Sequence, residues 1–308
     1  MNTQPILTTQ NIKKSFRDIQ AVRGINLTVY PGEAYGLLGP NGAGKTTIIG
    51  MILGLLQPTS GSLTIFGETL NGSSKHLSRR IGAALETSAF YPYLSGRDNL
   101  HVFARVLGGV PDARIESLLD FVGLNARAGS RFSTYSTGMK RRLTLACALL
   151  TDPDLILLDE PTVGLDPAGM REVRELINEL VSQGKTIFLA SHMLHEVEQV
   201  CRRVAVLNQG ELLAQGSVEE LVRREKALRL QVADPQAAAS RLANLPNIGQ
   251  VTTQNGYLLI DATLDQAETI SAHLAQVGIY PRRIEPVGSD LEDFFLDLTA
   301  NQSTDHVH

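Results

Sequence analysis

Gly39-Pro40-Asn41-Gly42-Ala43-Gly44-Lys45-Thr46-Thr47 is the stretch that decides the fold. It fits G-x-x-x-x-G-K-[ST], and its flanks supply the context that pattern needs: an apolar run at residues 33–38 and a helical pattern over residues 45–56. Glycines let the backbone turn its N–H groups inward, and the helix that follows directs its positive end at the same point. The combination predicts a strand, an anion-cradling loop and a helix. Lys45 is placed to reach the β- and γ-phosphates of a nucleotide, and Thr46 to offer a hydroxyl to Mg2+.

Leu155-Ile156-Leu157-Leu158-Asp159-Glu160 is the second element. An apolar run that ends in carboxylates places Asp159 at the carboxyl edge of a buried strand, where ligands bind in parallel sheets. Asp159 is expected to hold Mg2+, and Glu160 to polarise an attacking water as general base.

Around these two elements strands and helices alternate. Strand patterns cover residues 5–9 and 24–30, with a polar turn between them, and Pro31-Gly32 closes the second run. An irregular polar stretch covers residues 67–78. Helical patterns follow at 98–107, 111–121, 137–150 and 167–182, and a buried strand at 186–190. The alternation argues for an α/β core with a largely parallel sheet. Composition shifts after Gly216. Residues 218–227 read as an amphipathic linker helix, and residues 228–300 as strand, helix, two strands, helix, strand, with a further helix at 291–298. Asn255-Gly256 between apolar alternations is a hairpin signal. That order predicts a small α+β domain of ferredoxin-like arrangement. The tail, residues 301–308, is polar and expected to be disordered.

Bulk properties narrow the classes. The chain has 308 residues and a net charge of −4, which gives no electrostatic reason to expect nucleic-acid binding. Cys147 and Cys201 are the only cysteines, so neither a disulfide framework nor a zinc motif is present. No apolar run approaches the roughly 20 residues needed to span a bilayer, and the N-terminus lacks a signal pattern.

Tyr135-Ser136-Thr137-Gly138-Met139, followed by Lys-Arg-Arg-Leu-Thr-Leu, resembles the signature motif of the ABC ATPases, whose consensus is Leu-Ser-Gly-Gly-Gln. Ser136 and Gly138 match; Tyr135, Thr137 and Met139 depart. Gly164-Leu165-Asp166-Pro167 resembles the D-loop of that family, Ser191-His192 its switch histidine, and Phe16 the aromatic that stacks on adenine. The resemblance covers about residues 6–216. It implies an ABC-type P-loop ATPase core over residues 1–217, with a helical subdomain at about 88–152. It further implies that residues 39–47 bind ATP, that Glu160 and His192 are catalytic, and that Thr46 and Asp159 hold Mg2+. One phosphate loop and one signature per chain imply a homodimer, or a heterodimer with another ATP-binding subunit. Residues 135–139 would then act on the partner's nucleotide, and Asp166 would couple the two sites.

Where the family carries a glutamine, this chain has Glu86, to which the resemblance gives the glutamine's role at Mg2+ and the attacking water. Glu86 followed by Phe90-Tyr91-Pro92-Tyr93 is similar to exporters of the bacitracin- and lantibiotic-resistance and multidrug type, which pair with a separate ABC-2-like permease. The implied setting is peripheral, on the cytoplasmic face of the membrane, with export as the implied direction. The four residues 90–93 read either as a docking patch for that permease or as a satellite core. A non-transport ABC ATPase acting on nucleic acid or ribosomes is the rival. It fits poorly, because such chains carry two cassettes or long arms, whereas about 90 residues separate Thr46 from Ser136.

Overall fold

The computed structural model describes residues 4–70, 77, 79–85, 90–222, 226–243, 245–246, 248–254, 256–288, 291 and 295. The chain divides into two compact units, Met1–Val218 and Glu219–His308.

In the first unit β1 (Leu7–Phe16) pairs antiparallel with β2 (Ile19–Ile25) and with the short β3 (Thr28–Val29). The polar turn expected between residues 9 and 24 is therefore mostly strand. Ile12, Val22 and Ile25 are buried, while the polar residues around them face outward, so the stretch is a half-exposed ribbon whose polarity masks its period of two. β4 (Ala34–Leu38) leads through the glycine loop into α1 (Lys45–Ile52). The helix stops short of residue 56 because Gly54, at φ +70°, turns the chain, and the N–H groups of Leu55 and Leu56 return to the carbonyl of Gly50. β5 (Ser60–Ile65) and β6 (Glu68–Thr69) complete a first sheet of order β2-β1-β5-β6.

A second sheet holds the chemistry. After β7 (Ile81–Ala84) come the helices α2 (Gly96–Val106), α3 (Asp112–Phe121) and α4 (Thr137–Ala148). Then follow β8 (Leu155–Asp159), α5 (Pro167–Ser182), β9 (Thr186–Ser191), α6 (Leu194–Val200), β10 (Arg203–Asn208) and β11 (Glu211–Ser217). The order is β11-β10-β4-β9-β8-β7, parallel except for β11. Every residue of β4, β8 and β9 is buried, as a sheet covered on both faces requires. α1 packs on β2 of one sheet and on β8 and β9 of the other, so both sheets share one apolar core. Within the helical part, the aromatic segment divides. Phe90 packs on Phe103 and Phe132 at centroid distances of 5.3 and 5.0 Å, as a satellite core, whereas Tyr91 and Tyr93 are exposed.

α7 (Val218–Val222) is shorter than the linker helix expected over residues 218–227. In the second unit β12 (Lys226–Gln231) begins inside that stretch, because Lys226 and Ala227 pair with Gly288 and Val287. α8 (Pro235–Leu242), β13 (Val251–Gln254), β14 (Tyr257–Asp261), α9 (Ala267–Gln276) and β15 (Arg283–Gly288) follow. The sheet order β13-β14-β12-β15, antiparallel throughout, is the ferredoxin-like arrangement. Gln254 pairs with Tyr257 across the expected hairpin, of which Asn255 lies outside the described residues. So do residues 301–308 and, apart from 291 and 295, the helix expected at 291–298.

Candidate functional site

Three segments converge at the carboxyl edge of the parallel sheet: the loop after β4, Asp159-Glu160 at the end of β8, and Ser191-His192 at the end of β9. The strand order β4-β9-β8 makes them neighbours despite their distance along the chain. Gly42 and Gly44 adopt φ +83° and +103°. A methyl group on Gly44 would stand 2.6 Å from the Ala21 carbonyl oxygen, so β2 closes against the loop and glycine alone fits. The loop residues 40–47, with Ala21 and Glu160, line an open pocket of about 190 Å³.

Lys45 is buried, and its ammonium donates to the carbonyls of Gly39 at 2.6 Å and Pro40 at 3.3 Å. It also lies 3.3 Å from Glu160 Oε1. The Thr46 hydroxyl donates to Asp159 Oδ2 at 3.0 Å. These hard oxygens suit Mg2+. Among the described residues no group of three or more His, Cys, Asp and Glu could hold a metal ion unaided. Mg2+ itself takes one or two protein oxygens and completes its shell with phosphates and water.

Glu160 sits at φ +50°, a left-handed conformation that costs a residue with a side chain about 1–2 kcal/mol. Its N–H donates to the Ala190 carbonyl at 2.9 Å. Its Oε2 accepts from the Ser191 hydroxyl at 3.3 Å and the His192 N–H at 3.4 Å, and lies 2.9 Å from His192 Nδ1. The carboxylate is thus buried, yet tied to one ammonium and to the end of the neighbouring strand. The His192 ring itself is 41% exposed.

Phe16, 43% exposed, ends β1 with the Lys14 ammonium 5.0 Å from its ring centre. The same hairpin carries Ala21, which lines the pocket. Glu86 lies outside the described residues.

The signature residues form a separate recess. Ser136 is the N-cap of α4, its hydroxyl accepting from the Met139 N–H at 3.2 Å. Asp166 caps α5 in the same way, accepting from the Gly169 N–H at 2.9 Å. Ser136, Thr137 and Gly138 share an open recess of about 410 Å³ with Gly164, Asp166 and Arg142. The starts of α4 and α5 face it, together with Arg142 and the carboxylates of Asp166 and Glu172, the latter 3.5 Å from Arg142 Nε. The Tyr135 side chain is buried.

Sequence reasoning passed over Ala21 and Arg142. An alanine carries no chemical signal, and Arg142 is one of three consecutive basic residues from which only the fold selects. Burial pushes the Cys147 thiol up to about 12 and raises that of Cys201 as well.

The family model described as ABC transporter matches residues 22–163. The bacitracin transport ATP-binding protein BcrA of Enterococcus faecalis is 37% identical over 295 residues, covering 95% of this chain and 96% of its own length. Nod factor export ATP-binding protein I of Burkholderia pseudomallei is 36% identical and covers 99% and 100%. Among solved structures, cbiO1 from Clostridium perfringens, part of the ABC transporter complex cbiONQ, superposes with a TM-score of 0.65 at 27% identity, covering 79% of this chain and 96% of its own. Sequence relatives that match end to end and a shared cassette fold give one answer: the chain belongs to the ATP-binding subunits of ABC transporters, ATPases that hydrolyse ATP to ADP and phosphate to drive transport.

Proposed function

We propose that two copies of this chain, or this chain and a close relative, close on two ATP molecules and so drive export through a separate membrane permease. The observation that carries the reading is the cluster of buried Lys45 and Glu160 with the half-exposed His192 beside the glycine loop, at distances of 3.3 and 2.9 Å. Lys45 binds the β- and γ-phosphates. In doing so it leaves Glu160, and the exchange of a carboxylate for a phosphate frees Glu160 Oε1 toward the attacking water. Glu160 accepts that water's proton as general base, and His192 orients water and γ-phosphate. Thr46 and Asp159 hold Mg2+, which when bound offsets charge on the phosphates. To Glu86 we give the role of the family's glutamine, toward Mg2+ and the attacking water. Ser136 and Gly138 of the second chain close the site from the opposite side, and Asp166 couples the two.

No helix among the described residues is long and apolar enough to cross a membrane. We place the chain peripherally on the cytoplasmic face, docked on that permease. Export rests on the Nod factor export relative and on the bacitracin transport relative. Glu160→Gln tests the assignment: turnover should fall about 10²- to 10⁴-fold, the usual weight of a general base. ATP should then hold the variant as a dimer. Normal hydrolysis by Glu160→Gln would remove Glu160 from the mechanism.

A further inference from the structure

The family consensus has leucine where this chain has Tyr135, and the structure gives the hydroxyl something to do. Tyr135 is 4% exposed. Its phenol donates to the Arg127 carbonyl at 2.8 Å, and its ring packs on Phe132 with centroids 5.8 Å apart. Burial raises the phenol above its usual value, so it remains a donor at neutral pH. Gly96, the first residue of α2, lies against the ring, and a methyl group there would overlap the phenol oxygen. The start of α2 is bound to the same loop as the phenol: the Gly96 N–H donates to the Ser130 carbonyl at 3.2 Å and the Arg97 N–H to Ala128 at 3.0 Å. Three segments therefore meet on one side chain, and the next residue along the chain is Ser136.

We propose that Tyr135 is a positioning residue: its bond to the Arg127 carbonyl, admitted by Gly96, fixes where Ser136 and the first turn of α4 sit when they meet a second chain's nucleotide. This rests on the two-copy reading of the signature recess. A leucine would fill the space but leave the 125–131 loop without that tie. The helix start would then keep its Ser136 cap and lose its fixed seat on the helical subdomain. Geometry matters here because an anion site of backbone N–H groups acts only when aimed, and small misplacements weaken it steeply.

The test uses the full chain in a Glu160→Gln background, with MgATP as the probe. Tyr135→Phe keeps the ring and removes only the hydroxyl. ATP-dependent dimerisation, measured by sedimentation, should weaken about tenfold, while ATP affinity of the monomer, set by the chain's own glycine loop, stays unchanged. Gly96→Ala, which displaces the phenol without touching it chemically, should give the same split. A lower melting temperature with unaltered dimerisation in both variants would overturn the proposal and leave Tyr135 as packing alone. Failure of the Glu160→Gln parent itself to dimerise on ATP would overturn the two-copy reading, and this proposal with it.

Discussion

The two units of this chain solve folding in opposite ways. In the first, among the described residues, lie all the side chains that are buried yet polar or charged, from Thr9 through Lys45, Asp159 and Glu160 to Glu196. There too lie all the residues other than glycine with positive φ, Glu160 among them. The second unit packs Leu228, Leu230, Leu258, Ile260, Ile270 and Leu274 into an apolar core and, among the described residues, carries neither feature. Buried ions and left-handed side chains each oppose folding. Of these, Lys45, Asp159 and Glu160 gather at the glycine loop, so the cost of burying charge falls where the nucleotide site is.

If that contrast holds, the largest effects should come from disturbing the strained loop. Gly44→Ala places a Cβ at φ +103° and 2.6 Å from the Ala21 carbonyl oxygen. The loop must open to relieve it. ATP affinity should fall by more than about 100-fold, counting strain of about 1–2 kcal/mol together with lost phosphate contacts. Calorimetric titration with ATP checks this, and an affinity within threefold of the parent would mean that β2 does not brace the loop.

Phe16 should matter less, because it supplies affinity without strain. Stacking of a base on an aromatic ring is worth about 1–3 kcal/mol. A half-exposed ring at a hairpin end sits at the low side of that range, so Phe16→Ala should weaken ATP binding about 5- to 20-fold. GTP should lose a similar factor, since every base has a π-face. An unchanged affinity for both nucleotides would place the adenine elsewhere.

Much of the first unit was legible in the sequence, for a physical reason. The glycine loop and the run ending in Asp159-Glu160 are dictated locally, by backbone freedom and by apolar continuity. Local signals place each piece at the carboxyl edge of its own strand. They do not bring the pieces together. The Lys45–Glu160 pair, 115 positions apart in sequence, exists because β9 lies between β4 and β8. Strand order is a property of the whole sheet, which no window of residues reports. The β1–β2 ribbon was misread as a turn because its outer face meets water and so lacks the apolar run. The tie between Tyr135 and Arg127 was invisible too, since its key partner, Gly96, contributes only empty space. In the second unit the ferredoxin-like order was legible from alternation and Asn255-Gly256. It failed only at element ends, where pairing drew Lys226 and Ala227 into β12.

The smallest expected effect sharpens the contrast from the other side. Asp234 caps α8, its Oδ1 accepting from the N–H groups of Gln236 at 3.1 Å and Ala237 at 3.0 Å, just ahead of Pro235 at the first helical position. Loss of such a cap costs about 1 kcal/mol. Because the cap holds a helix against an apolar core, Asp234→Ala should shift the unfolding of the second unit by that amount and leave ATP affinity and turnover unchanged. Hydrogen exchange in α8 reads the first and a steady-state ATPase assay the second. A change in turnover would show that the second unit acts on the first rather than only standing beside it in the chain. The division of labour drawn from burial and backbone strain would then be a division of cost and not of function.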